Sequence, residues 1–188
     1  MKLIIAITGA SGAIFGIRLL EILQQMDNIE THLVISKAAN ITIKTETNYQ
    51  LADIKKMADI YYNSEDISSS IASGSFKTDG MIVAPCSIKT MSAIANSYGD
   101  NLISRAADVI LKEKRKLVLL LRETPFHLIH LRNMAAVVEN GGIIYPPVPA
   151  FYNNPKTIDD IINHTIYRVL DLFDIDNDKL KRWNGLKK

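Results

Sequence analysis

Five short apolar segments recur along the chain, and a helical pattern or a polar stretch separates each from the next. They span residues 3–8, 31–36, 81–84, 117–121 and 142–145. Segments that are apolar on both faces are typical of central strands in a parallel sheet covered by helices. The alternation predicts an α/β protein: a doubly wound, Rossmann-like or flavodoxin-like three-layer sandwich with a mainly parallel sheet.

Helical patterns fill the intervals between the strands. Helices are predicted over residues 12–25, 87–96 and 101–112. A last long helix begins at Thr157, with Asp160 in the capping-box position. Residues 59–79 are irregular and rich in serine, which predicts a long surface loop with one helical turn.

The length of 188 residues fits one domain, which we expect to cover residues 1–175. Residues 176–188 form a polar C-terminal tail, apart from Trp183. Because a lone Trp on a polar tail often packs against another surface, we expect this tail to pack on a neighbouring subunit.

Charge and cysteine content narrow the classes of function. The formal net charge of +2 gives no electrostatic reason to expect nucleic acid or an anionic membrane as partner. The single cysteine, Cys86, excludes an internal disulfide framework, so we expect a reducing, cytoplasmic location.

The apolar segments predict neither a signal peptide nor a membrane span. Gly9, Ser11 and Gly12 interrupt the N-terminal apolar run too early for a signal peptide. No later run is long enough to span a bilayer.

Polar segments follow the predicted strands at one edge of the sheet. They comprise residues 8–12, 36, 85–90, 122–125 and 146–152. In open parallel sheets, ligands bind beyond the carboxyl ends of the strands. The small, hydroxylic and charged residues of these segments therefore predict a binding site at this edge.

The first of these segments, residues 8–13 (TGASGA), connects a strand to a helix. Its glycines let backbone amides approach a ligand, and the helix N-terminus favours an anion; a tight turn that binds nothing is the alternative. NAD is disfavoured as the ligand. The second strand ends at residues 35–37 (ISK) without an acid, and the glycines are not spaced as G-x-G-x-x-G.

Two further segments carry candidate chemistry. Residues 85–90 (PCSIKT) present two hydroxyls at a helix N-terminus, which suits a single phosphate, with simple capping by Ser87 as the alternative. Arg122 and Glu123 directly follow the most apolar strand. An Arg there can hold a phosphate or the dione edge of a flavin, and a partly desolvated Glu can carry a proton; an exposed ion pair is the alternative.

Other polar residues give weaker signals. Arg105, Asp108 and Lys112 share one helix face, which predicts a solvated ion-pair face. His127 and His130 are three residues apart, but no further ligand is spaced to join them, so no metal site is predicted.

Taken together, the segments closely resemble the UbiX-like flavin prenyltransferases from end to end. The matching blocks are TGASGA (8–13), LVISKAA (33–39), TET (45–47), SGSF (73–76), PCSIKT (85–90), NLISRAADVILKE (101–113), LVLLLRETPF (117–126), IHLRNM (129–134), PAFYNNP (149–155) and RW (182–183). Several are charged blocks that the fold alone does not require. One departure is Arg132, where members of the family often carry an acid.

The resemblance implies an enzyme that attaches a dimethylallyl group from dimethylallyl monophosphate to N5 and C6 of reduced FMN. The product, prenylated FMN, is the cofactor of UbiD-type decarboxylases that act on aromatic acids. The resemblance also implies a homo-oligomer, usually a dodecamer, and no metal.

The resemblance further implies roles for individual residues. The FMN contacts would be Gly9, Ala10, Ser11, Ser36, Ser87, Ile88, Lys89, Thr90 and Arg122. The substrate contacts would be Tyr152, Arg168, Lys112, Arg105 and Trp183, with Arg105 supplied by a neighbouring subunit. The catalytic residues would be Glu123, Glu46, Lys112, Ser11 and Arg105. In this scheme Glu123 protonates the leaving phosphate or shuttles a proton, and Glu46 lies near the prenylation centre.

Two other functions stay open on the sequence. Flavin-dependent decarboxylases of peptidyl or pantothenoyl cysteine share this fold and a similar flavin loop, but they rely on an active-site histidine. None of the four histidines falls in a segment matched to the site, apart from His127 and His130 just beyond it. The other alternative is a non-catalytic FMN-binding subunit of an aromatic-acid decarboxylase.

Overall fold

A six-stranded sheet, in which all neighbouring strands are parallel, forms the centre of the unit Met1–Pro146. The computed structural model describes residues 1–178, 180, 182–183 and 185. The strands are β1 (Lys2–Ile7), β2 (Glu30–Ile35), β3 (Ile60–Asn63), β4 (Gly80–Cys86), β5 (Lys116–Leu121) and β6 (Ile143–Ile144). The helices are α1 (Ala13–Leu23), α2 (Lys37–Glu46), α3 (Leu51–Lys56), α4 (Ile88–Ala95), α5 (Leu102–Lys112), α6 (Leu128–Glu139) and α7 (Ile158–Asp171).

The strand order in the sheet is β3-β2-β1-β4-β5-β6. The direction in which successive strands are added to the sheet reverses beside β1. From β1 the chain moves outward to β2 and β3, and it then returns to β4 and moves outward the other way. Because crossovers between parallel strands are right-handed, the helices of the two halves cover opposite faces of the sheet. Accordingly, α1 packs against α2, whereas α4 packs against α5 and α6. This confirms the predicted doubly wound α/β fold.

The predicted apolar segments form the core. The side chains of β1, β4 and β5 are buried almost throughout, which explains why neither face of these strands carries polar residues. One core cluster extends from the sheet to α4 and α5 through Met91, Ile94, Ile103 and Ile110. Full burial of each such side chain contributes about 1.5–3 kcal/mol. This packing holds the carboxyl ends of the central strands in fixed positions.

The stretch over residues 59–79 is more regular than the sequence predicts. It begins with the edge strand β3, and the predicted helical turn is a short 3-10 helix at Ser70–Ala72. The side chains of β3 are mostly exposed, so the strand has no buried apolar run that would mark it in the sequence. Its remaining signal is the β-propensity of Ile60, Tyr61 and Tyr62.

The strand predicted over residues 81–84 is longer than the sequence indicates, because Pro85 does not end it. β4 continues to Cys86, which pairs with Leu121 after a register shift. Pro85 has no N–H to donate, but its carbonyl accepts hydrogen bonds from Thr8 N at 3.2 Å and Thr8 Oγ1 at 2.7 Å. These bonds keep β1 and β4 joined as far as their carboxyl ends.

The described residues from Pro147 onward form a second compact unit. Thr157 Oγ1 accepts a hydrogen bond from Asp160 N at 3.1 Å, and Asp160 Oδ2 accepts one from Thr157 N at 2.9 Å. The predicted capping box of α7 is therefore confirmed. The predicted domain boundary at residue 175 stays a prediction. Among the described residues, no helix has the length and apolar character needed to cross a membrane.

Candidate active site

A cavity of about 350 Å³ lies where the strand order reverses, beyond the carboxyl ends of β1, β2 and β4. Its lining includes Gly9, Ser36, Ser87, Lys89 and Thr90, five of the nine residues predicted to contact FMN. The fold thus brings together segments that are as far apart in sequence as residues 9 and 90. This is the position at which doubly wound sheets bind their ligands.

Three helix N-termini converge on the cavity. Ser36 Oγ caps α2 by accepting a hydrogen bond from Ala39 N at 3.1 Å, and Ser87 Oγ caps α4 by accepting one from Thr90 N at 3.3 Å. Asn101 Oδ1 caps α5 by accepting from Ile103 N at 2.9 Å. Each helix N-terminus carries partial positive charge, so their convergence favours an anion.

Thr8, the first residue of the predicted binding segment 8–12, connects the two loops that flank this cavity. Its side chain is buried, and its Oγ1 donates to Pro85 O while accepting a hydrogen bond from Ser87 N at 2.8 Å. The end of β1 is therefore tied directly to the start of α4. The signal in the sequence is a hydroxyl placed immediately after the first apolar strand.

Gly9 allows the first loop to approach α2 closely. A Cβ atom at this position would lie 2.4 Å from Ala38 Cβ, which is far inside van der Waals contact. A side chain here would push the loop away from the N-terminus of α2. Residue 9 of the TGASGA segment is therefore glycine because there is no room for a side chain.

The N-terminus of α1 binds an anion of the chain itself. Glu46 Oε2 accepts hydrogen bonds from Gly12 N at 2.8 Å and Ala13 N at 3.2 Å. Burial raises the pKa of Glu46, but hydrogen bonds from Gly12 N, the Ser11 side chain and Ala13 N, together with the charge of Arg122, outweigh it and lower the pKa below its usual value. Glu46 is thus held as a carboxylate beside the predicted site residues Ser11 and Arg122.

The acids at the rim of the cavity are paired with lysines. Lys37 forms an ion pair with Glu65, and Lys89 Nζ lies 3.9 Å from Asp100 Oδ2. Each acid is thereby offset by a cation. The cavity lining also contributes hydroxyls and helix N-termini, as the PCSIKT segment predicts.

Arg122 and Glu123 lie directly beyond β5, as predicted. Arg122 N donates to Cys86 O at 3.1 Å, which holds this segment against the end of β4. Glu123 Oε1 accepts a hydrogen bond from Thr124 N at 2.9 Å. Cys86 itself is fully buried, and burial raises the pKa of its thiol far above the usual value, so it is not a nucleophile.

A single chain does not bring Arg105 and Lys112 to this cavity. Arg105 donates to Ala72 O at 3.2 Å and pairs with Asp108 at 3.1 Å, whereas Lys112 pairs with Glu113 at 2.5 Å. α5 starts at the carboxyl edge of the sheet, and its 11 residues carry Lys112 about 16 Å toward the opposite edge. Their catalytic and substrate-binding roles stay predictions that require a neighbouring subunit.

The remaining predicted substrate contacts lie in the second unit. The rings of Tyr152 and Trp183 meet edge to face with centroids 5.9 Å apart. Arg168 pairs with Asp171, which also binds Arg182. The Tyr152 hydroxyl lies 3.0 Å from His164 Nε2. His164 has no predicted role, and its spacing of four residues from Arg168 on α7 is the signal in the sequence that connects it to the predicted site.

The described residues include no group of three or more His, Cys, Asp or Glu side chains that could hold a metal ion.

An open parallel sheet with a cavity lined by helix N-termini at its reversal point is typical of the nucleotide-binding α/β proteins. The family model "Flavoprotein" matches residues 1–170. The chain is 56% identical to flavin prenyltransferase UbiX of Thauera aromatica over 185 residues, 98% of this chain and 95% of that protein. It is 52% identical to a probable UbiX-like flavin prenyltransferase of Bacillus subtilis, over 100% of this chain and 92% of that protein.

Two crystal structures are also closely similar. One is a dodecameric FMN-dependent UbiX-like decarboxylase from Escherichia coli O157:H7, with a TM-score of 0.96 and 52% identity over 98% of this chain and 100% of that chain. The other is AnUbiX in complex with FMN and dimethylallyl pyrophosphate, with a TM-score of 0.96 and 50% identity over 99% of this chain and 98% of that chain. The chain therefore belongs to the flavoprotein family and, within it, to the UbiX-like flavin prenyltransferases.

Proposed function

We propose that this protein transfers a dimethylallyl group from dimethylallyl monophosphate to N5 and C6 of reduced FMN. The observation that carries the proposal is the 56% identity to a flavin prenyltransferase over 98% of the chain. The product is prenylated FMN, which passes to a UbiD-type decarboxylase. We place the reaction in the cytoplasm, since the single cysteine indicates a reducing compartment.

FMN is the prenyl acceptor, and the cavity at the reversal point suits its phosphate. Ser36, Ser87 and Thr90 supply hydroxyls there. The N-termini of α2 and α4, which Ser36 and Ser87 cap, add backbone amides. The chemistry of this donor set fits a phosphate dianion, because charge-assisted hydrogen bonds are about twice as strong as neutral ones. The other proposed FMN contacts are Gly9, Ala10, Ser11, Ile88, Lys89 and Arg122.

The prenyl donor is held by Tyr152, Arg168 and Trp183. A hydroxyl and a guanidinium bind phosphate oxygens, while the aromatic rings offer an apolar surface to the dimethylallyl group. Trp183 is 59% exposed and Tyr152 is 49% exposed, so both rings have surface available for a ligand. Lys112 and Arg105 add positive charge from a neighbouring subunit.

The transfer breaks the allylic C–O bond, whose electron pair leaves with the phosphate. N5 bonds to the dimethylallyl carbon and loses its proton. The prenyl alkene then takes up a proton and bonds to C6, which loses its own proton, so the flavin gains C₅H₈ and one proton leaves with inorganic phosphate. Fixed cations around the leaving group stabilise this charge separation. Glu123 donates this proton to the leaving phosphate and regains one from the flavin, which matters because a monophosphate is a poorer leaving group than a diphosphate.

We further propose that the protein is a homo-oligomer, and that it forms a dodecamer. α6 supports this because Leu128, Ile129, Leu131 and Val138 are each at least half exposed, and Val137 is its one buried residue. An apolar surface of this kind marks an interface rather than a solvent-exposed helix face. Light scattering of the purified protein measures the particle mass.

The proposed reaction is tested by anaerobic reconstitution. Protein, reduced FMN and dimethylallyl monophosphate are mixed, and the flavin is extracted for mass spectrometry. We expect a mass gain of one C₅H₈ unit. A parallel reaction with dimethylallyl pyrophosphate identifies the donor that this chain uses, and a reaction without protein is the control.

Two outcomes would replace the proposal. Bound FMN without an adduct from either donor indicates a non-catalytic flavin subunit. Release of CO₂ from 4'-phosphopantothenoylcysteine indicates a decarboxylase of cysteine derivatives.

A further inference from the structure

In the second compact unit, His164 contacts Tyr152 in two ways. The Tyr152 hydroxyl lies 3.0 Å from His164 Nε2, and the two rings meet edge to face with centroids 5.5 Å apart. The hydrogen bond fixes the direction of the hydroxyl, and the ring contact fixes the plane of the Tyr ring. One histidine therefore restrains both the hydroxyl and the ring of this side chain.

Tyr152 has a particular need for such support. It lies in the irregular segment between β6 and α7, and its side chain is about half exposed. Its other ring contact is with Trp183, which is itself 59% exposed. Of these three rings, only that of His164 is carried by a helix. His164 is thus the anchored member of the cluster.

The hydrogen bond has a preferred direction if Tyr152 is to bind an anion. A tyrosine hydroxyl has one proton, and a proton donated to His164 is lost to any other acceptor. When Nε2–H of the imidazole donates to the Tyr152 oxygen instead, the hydroxyl proton stays available. The same interaction then holds the tyrosine and leaves it able to donate to a phosphate.

The surroundings of His164 favour the uncharged imidazole. Burial, and then the positive charge of Arg168, lower the pKa of His164 below its usual value. His164 lines a cavity with a volume of about 370 Å³, and the lining of this cavity also includes Lys156, Asp160 and Tyr167. An uncharged imidazole with its proton on Nε2 supplies the hydrogen bond without adding charge to the site.

We propose that His164 is a positioning residue of the prenyl transfer, whose Nε2–H holds Tyr152 with its hydroxyl proton directed at the phosphate of the prenyl donor. The inference rests on the proposed function, which gives Tyr152 its contact with that phosphate. His164 itself does not touch the donor and acts only through Tyr152.

The test is a calorimetric titration with dimethylallyl monophosphate. It uses protein loaded with oxidised FMN, in which no transfer occurs, and compares H164A, H164Q, Y152F and the double variant Y152F/H164A. We expect H164A to weaken donor affinity about three- to tenfold, the effect of one lost hydrogen bond. H164Q restores the affinity to within about twofold, because its amide N–H donates from a similar position. In the Y152F background, H164A has no further effect.

Two results would overturn the positioning role: wild-type affinity in H164A, or the same weakening by H164A with and without the Tyr152 hydroxyl. If H164A does not fold, H164L fills the position without a hydrogen-bond donor, and the same weakening of donor affinity is expected.

Steady-state rates with reduced FMN separate this inference from the proposed function. An inactive wild-type protein contradicts the function, whereas an active one whose KM for the donor is unchanged in H164A contradicts the role of His164 alone.

Discussion

Glu46 Oε2 lies 2.8 Å from the backbone nitrogen of Gly12, so a carboxylate at the end of α2 binds the N-terminus of α1. Gly12 has a left-handed φ of 98° and no side chain to cap the helix. Glu46 therefore supplies from a distant helix the acceptor that an N-cap side chain supplies locally. This contact orders the glycine-rich loop that lies beside the cavity.

Replacing Glu46 with Gln should destabilise the protein modestly. Gln keeps the shape but loses the negative charge at the positive end of α1, so we expect the free energy of unfolding to fall by about 0.5–1 kcal/mol. Urea denaturation measures this change. The control is Asp27→Asn, which removes an exposed carboxylate from the turn after α1. Equal stability of E46Q and D27N would show that the charge of Glu46 does not stabilise α1.

Ser87 has two roles that a matched pair of variants separates. Ser87→Ala removes the cap of α4 and a hydroxyl of the phosphate site, so stability should fall by about 1 kcal/mol and FMN affinity about tenfold. Thr157→Ala removes the cap of α7 and should cost similar stability without changing FMN affinity. Fluorescence titration of FMN gives both affinities. Equal FMN affinities of S87A and T157A would mean that Ser87 only caps its helix.

Glu123→Gln should bind FMN normally and transfer the prenyl group slowly. The amide cannot donate the proton that the leaving phosphate needs, and general acid catalysis is worth about 10²–10⁴ in rate. Single-turnover rates of adduct formation measure the effect. Asp27→Asn, in the exposed turn after α1, is the control. Turnover of E123Q at the wild-type rate would remove Glu123 from the proton path.

His32 should make stability depend on pH. It is fully buried on β2, and its ring nitrogens lie 3.0 Å from Glu30 Oε1 and 3.0 Å from the Tyr62 hydroxyl. Burial lowers the pKa of His32, and Glu30 opposes this only in part. Below about pH 6.5 the unfolded chain binds a proton that the folded chain resists, so the free energy of unfolding falls as pH falls.

Urea denaturation at several pH values between about 7.5 and 5 measures this slope. The pKa of His164 is also lowered, so it contributes with the same sign. His32→Gln should therefore reduce the slope without abolishing it. An unchanged slope in H32Q would assign the pH dependence to other groups.

The central strands and helix caps were predictable because their signals are local. A strand buried on both faces must be apolar throughout, which marks β1 and β5 in the sequence. Ser87 was predictable as a cap because a cap lies next to the helix that it begins. The binding edge followed from the strand pattern, since parallel strands place their carboxyl ends together.

The remaining features depend on contacts between distant residues. Glu46 and Gly12 are 34 positions apart, and Tyr152 and His164 are 12 positions apart with irregular chain between them. No periodicity relates such pairs, because tertiary packing brings them together. β3 was missed for a different reason: an exposed edge strand does not need the apolar pattern on which strand prediction depends.

The most direct test of the account compares the affinities of the wild-type protein for FMN and riboflavin, which differ only by the phosphate. If the N-termini of α2, α4 and α5 hold that phosphate, FMN should bind at least about a hundredfold more tightly, because two or more charge-assisted hydrogen bonds are lost with riboflavin. Equal affinities would show that the phosphate is not bound in this cavity, and they would contradict the account.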